Sequence, residues 1–104
     1  MKADGLLGIM EASCKVFGNP ATIRAVIEPK GSQSIKNARD AFVLVALKAG
    51  YTPDAIAVCL QRPPDKGSQL IKTASSHCER DPNFIYSVQQ VAEEAGLLLQ
   101  FDNC

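Results

Sequence analysis

Seven consecutive apolar residues, Ala41–Leu47, constrain this chain more than any other feature. They lie inside a stretch, 34–49, that opens with polar residues and is followed by Gly50. The stretch is too long for an ordinary strand, and a helix that is apolar all round must be buried on most sides. Seven residues fall far short of the ~18 needed to span a membrane, so no membrane partner is expected. The chain has 104 residues, which suits a single domain, 1–104, whose helices share one modest core.

The flanking sequence has the same helical period. Leu6, Leu7, Met10, Cys14 and Phe17 predict an amphipathic helix over 4–17 that Gly18 stops. Asn19-Pro20 supplies a cap and a first-turn proline for a short helix over 20–27. A breaker-rich loop, Glu28–Gln33, leads to the 34–49 helix, with Ser34 as its cap. Thr52-Pro53 repeats the cap-then-proline signal for a helix over 53–61, with Ile56, Cys59 and Leu60 facing inward. The turn Arg62–Gly67 separates it from a helix over 68–79, whose inner face is Leu70, Ile71, Ala74 and Cys78. Asp81-Pro82 opens the last helix, striped by Phe84, Ile85, Val88, Val91, Ala92 and Ala95 and closed by Gly96. The apolar stretch Leu97–Phe101 in the tail 97–104 leaves two readings open, a segment packed back on the core or an oligomer contact. Aromatics are 6% and Trp is absent, which leans away from β folds. The expected fold is all-α, an orthogonal bundle of about six helices.

Eleven basic and eleven acidic side chains give a net charge of zero, so the chain does not coat nucleic acid by bulk attraction. Their distribution is uneven. Arg24, Lys30, Lys36, Arg39 and Lys48 outnumber Glu28 and Asp40 in the middle of the chain. Arg62, Lys66, Lys72 and Arg80 outnumber Asp65 and Glu79 further on, and residues 81–104 carry acids alone. One anion-facing surface is compatible with this asymmetry. The four cysteines lack the C-x₂-C spacing of a zinc site, so no metal is expected. Cys14, Cys59 and Cys78 occupy apolar helical positions and read as reduced and buried, and Cys104 as an exposed terminal thiol. The N-terminus lacks the pattern of a secretory signal, which points to the cytoplasm.

Two helices joined by a short turn and resting on a buried third have the layout of a helix–turn–helix unit. Here the pair spans 53–79, and 68–79 takes the recognition position. Recognition needs polar side chains at that helix's start, where they meet base edges in the major groove. Lys66, Ser68, Gln69 and Lys72 are suitable types, since Gln pairs with adenine and Lys donates to guanine. The plain alternative is a solvated helix face.

The segment Ala38-Arg39-Asp40 through Tyr51-Thr52-Pro53-Asp54-Ala55-Ile56-Ala57 resembles the C-terminal DNA-binding domain of the bacterial replication initiator DnaA. Ile9–Gly18 resembles that family's leading helix, and Glu79–Phe84 resembles the approach to its last helix. The resemblance covers residues 6–95. It departs at Arg62-Pro63-Pro64-Asp65-Lys66-Gly67, where the turn is longer and the family's His is missing, and at Pro29–Ser34, which keeps only Lys30 of a basic loop. The initiator's ATPase domain has no counterpart.

The resemblance implies a double-stranded DNA-binding regulator of transcription or replication, without ATPase activity or cofactor. Lys30, Lys36 and Arg39 are expected on phosphates, Lys66, Ser68, Gln69 and Lys72 at the groove, and Arg62 among the DNA-binding residues. The competing expectation is a helical protein-interaction module that kept the fold and lost DNA, meeting a protein partner or a second copy through the acidic last helix and Leu97–Phe101. An enzyme is not expected. The single histidine, His77, reads as a helix-surface residue, and Glu93-Glu94 as a solvated pair.

Overall fold

Burial of most of the central apolar run organises the molecule: Leu44 is half-buried, and Leu47 at its end is exposed where the sequence alone put it inside. The computed structural model describes residues 5–18, 23–28 and 31–101. Among them are six α-helices: α1 (Gly5–Phe17), α2 (Ile23–Ile27), α3 (Gln33–Lys48), α4 (Pro53–Cys59), α5 (Gly67–Arg80) and α6 (Phe84–Glu94). A single 3₁₀ turn, Pro64–Lys66, precedes α5, and no strand occurs among the described residues. The chain is therefore an all-α bundle. No described helix is long and apolar enough to cross a membrane.

α3 is the axis. Ala38, Ala41, Phe42, Val43, Val45 and Ala46 are all fully buried, and α1, α5 and α6 pack around them. Small residues on α3 let α1 come close enough for the Ser13 hydroxyl to donate to the Ala38 carbonyl. α1 buries Ile9, Met10, Ala12 and Ser13, whereas Leu7, expected inside, is 44% exposed. On α6 the predicted stripe holds: Phe84, Val88, Val91 and Ala92 are buried.

The caps follow local chemistry with two corrections. Thr52 caps α4, its hydroxyl accepting from the Ala55 N–H at 3.1 Å, with Pro53 in the first turn. Ser34 does not cap α3. It lies inside the first turn, and Ser32 holds the cap position in extended backbone without a side-chain bond. The start of α6 is Phe84, because Asp81–Asn83 form a turn whose carbonyls accept from residues 84–86. Asn19 and Pro20 lie outside the described residues.

Three helices close in the same way, by paired bonds from the two residues beyond the end. After α3, Gly50 donates to Leu47 and Tyr51 to Ala46; after α6, Gly96 donates to Glu93 and Leu97 to Ala92. After α4, Gln61 donates to Val58 and Arg62 to Ala57, and Gln61 takes a left-handed φ of 59°. The C-terminal segment packs back on the core. Leu97, Leu99 and Phe101 are half-buried, and the Gln89 amide bridges the Leu99 carbonyl and the Phe101 N–H, each at 2.9 Å.

Candidate nucleic-acid interface

The α4–α5 pair is set by one glycine. A Cβ on Gly67 would lie 2.3 Å from the Pro53 carbonyl oxygen, so the start of α5 touches the start of α4 with no room for a side chain. α5 then runs along α3, burying Ala74, His77 and Cys78. Its other side is open. Ser68, Gln69, Lys72, Thr73 and Ser76 are all exposed, and helical spacing puts them on one face. Pro63, Pro64, Asp65 and Lys66 in the preceding turn are exposed as well. Gln69 lies 3.5 Å from the Thr73 hydroxyl, a weak contact that leaves its amide available. Neither Lys66 nor Lys72 has an ion-pair partner among the described residues.

Four expected site residues, Lys66, Ser68, Gln69 and Lys72, are thus together at the solvent edge of the turn and of α5. Lys36 is exposed in the first turns of α3, and Lys30 lies outside the described residues. Arg39 requires a correction. Only 8% exposed, its guanidinium donates to the Val26 carbonyl at 2.8 Å and to that of Glu28. It ties α2 to α3 and does not present its charge to a phosphate. Burial, then the Arg62 charge, pushes its pKa down, with Asp40 opposing. Arg62 is half-buried, and its Nη1 donates to the carbonyls of Ile27 at 2.9 Å and Leu60 at 2.7 Å. The two arginines meet at the C-terminal end of α2, where unpaired helix carbonyls attract cations.

His77 also departs from expectation. It is buried, its Nδ1 lies 2.7 Å from Asp40 Oδ2, and its ring stacks on Phe84 with centroids 4.0 Å apart. Burial pushes the Asp40 carboxyl up, while the His77 hydrogen bond and charge, Arg39 and Arg80 pull it back. The signal was present in the sequence: His77 lies seven residues after Leu70 and three after Ala74, on the inner face.

Cys78 is disulfide-bonded, not the reduced thiol expected; an apolar helix position reads alike for a thiol and a half-cystine. Cys104 lies outside the described residues. Cys14 and Cys59 are free and half-buried, with burial pushing both thiols up, helped at Cys14 by Glu11.

No protein-family model, curated protein or solved structure matches the chain.

Proposed function

We propose that the chain binds double-stranded DNA through the α4–α5 pair and acts as a regulator of transcription or replication. The reading rests on one observation, the outward face of α5. Ser68, Gln69, Lys72, Thr73 and Ser76 form a polar face that starts at the helix N-terminus and carries no acidic residue before Glu79. Hydrogen-bonding side chains there suit base edges in a major groove, and Lys66 and Lys72 suit the flanking phosphates. On this reading the likeness of residues 6–95 to the DnaA C-terminal domain reflects a shared way of meeting DNA. The longer turn at Arg62–Gly67 gives this chain a target of its own.

Fluorescence anisotropy on a randomised duplex pool at two salt concentrations tests the reading. Binding that weakens with salt is expected, since each phosphate contact releases counterions. Lys72→Ala should lower the salt slope by about one, and Gln69→Ala should change sequence preference without much change in slope. Absence of salt-sensitive binding at low salt overturns the reading.

A second reading, a non-enzymatic interaction module, is favoured by Tyr86 on α6 at 71% exposure and Leu98 in the tail at 101%. Under it Tyr86→Ser and Leu98→Ser abolish self-association or partner binding, measured by sedimentation, and leave Lys72→Ala silent.

A further inference from the structure

A cleft lies between α2 and the turn after α4. It consists of two adjoining hollows, of about 280 and 350 Å³, that share Ile27, Glu28 and Gln61. Arg62 borders the first and Arg24 the second. We propose that this cleft binds a phosphate group, held by the outward N–H groups of Arg62 together with Arg24.

The state of Arg62 carries the argument. A guanidinium has five N–H donors in a fixed plane. The Nη1 of Arg62 is engaged by the Ile27 and Leu60 carbonyls, which fixes the plane between α2 and the end of α4. Its Nε and Nη2 have no partner among the described residues. No fully buried side-chain nitrogen or oxygen lacks a partner among the described residues, so neither of these donors is sealed in the interior. A guanidinium already held in place loses little freedom on gripping an oxyanion, and two parallel N–H groups match a phosphate edge.

The surroundings agree. Carbonyls at a helix end repel anions, but those of Val26, Ile27 and Glu28 already accept arginine N–H groups. The Arg39 and Arg62 charges repel each other, and neither has a carboxylate ion-pair partner among the described residues. An anion at the cleft relieves that repulsion. Gln61 adds an exposed amide donor at the shared rim. Glu28 is the opposing charge, exposed and without an ion-pair partner among the described residues.

A phosphate can come from a duplex backbone or from a free phosphate, and only the first source rests on the DNA reading above. The test is an NMR titration of the whole chain, following the arginine Nε–Hε and Gln61 amide signals. Inorganic phosphate is one titrant and a short duplex the other. Saturable phosphate shifts centred on Arg62 and Gln61 are expected. Arg24→Gln should weaken phosphate about two- to fivefold and Glu28→Gln should tighten it by a similar factor. Both side chains are exposed, so neither variant disturbs the core.

Shifts elsewhere, or affinity unchanged in both variants, overturn the proposal. Phosphate binding with duplex shifts at the cleft supports it and assigns the backbone as source. Phosphate binding without any duplex binding supports it while the DNA reading falls. Duplex binding with the cleft silent to both titrants overturns it and leaves the DNA reading standing.

Discussion

The imidazole of His77 and the carboxylate of Asp40, 2.7 Å apart, tie α5 to α3 inside the bundle. Phe84 of α6 stacks on the same ring at 4.0 Å, so three helices meet at one side chain. The helix that carries the candidate reading face is thus held by a polar contact as well as by apolar packing.

Cutting that tie should cost stability. Asp40→Ala leaves the His77 Nδ1 without its acceptor in a buried place, and an unpaired buried polar group costs about 1–3 kcal/mol. Asp40→Asn keeps an acceptor and should lose less. The shift in urea midpoint at constant slope measures both.

The same carboxyl sets a pH dependence. Burial raises Asp40 above its ordinary value of 3.8 in spite of His77, Arg39 and Arg80, so the folded chain takes up the proton more readily than the unfolded one. Stability from this group is therefore fully present below 3.8 and falls as pH rises through the raised folded value. Urea unfolding across that acid range should show the wild type losing stability relative to Asp40→Asn as pH increases. The opposite drift would mean that the ionised carboxylate stabilises the fold.

Gly67 is where α4 and α5 touch. Gly67→Ala places a methyl 2.3 Å from the Pro53 carbonyl oxygen, which is backbone and cannot swing away. Overpacking of this kind costs about 1–3 kcal/mol. Thermal unfolding should show the loss, and amide spectra should show the disturbance centred on residues 52–55 and 64–70.

Gln61 holds the position that glycine holds after α3 and α6, with a left-handed φ of 59°. That conformation costs a side-chain-bearing residue about 1–2 kcal/mol, partly offset by the extra freedom glycine has when unfolded. Gln61→Gly should therefore stabilise the chain by about 0.5–1 kcal/mol, read as a higher urea midpoint. Gly50→Ala, at a φ of 104°, should do the reverse.

Arg39 and Lys72 separate structure from binding. Arg39→Met removes the donors to Val26 and Glu28 and should destabilise by about 1–3 kcal/mol. At temperatures where it stays folded it should bind duplex as the wild type does. Lys72→Ala should do the opposite, weakening duplex and sparing stability.

Most of the helical layout was legible along the chain because caps, breakers and the 3.6-residue period act locally. Thr52-Pro53, Gly50 and Gly96 mark real helix ends for that reason. Arg39 and His77 were misplaced, and the carbonyl contacts of Arg62 missed, because a charged or polar letter reads as surface until its partner is known. Their partners, Val26, Ile27 and Asp40, lie 13, 35 and 37 residues away. Gly67 likewise looked like one breaker among several until α4 was seen against it.

By itself the sequence determined an all-helical chain around a largely buried central helix, because the run Ala41–Leu47 is apolar all round and the flanking segments have one apolar stripe each to lay against it. It also put Lys66 in the turn before one helix and Ser68, Gln69 and Lys72 at that helix's opening. Tertiary structure alone decided which charges remain for a ligand. Packing turned Arg39 inward, joined His77 to Asp40, and bound one end of the Arg62 guanidinium to the Ile27 and Leu60 carbonyls, because a buried polar group must find a partner wherever the fold places one.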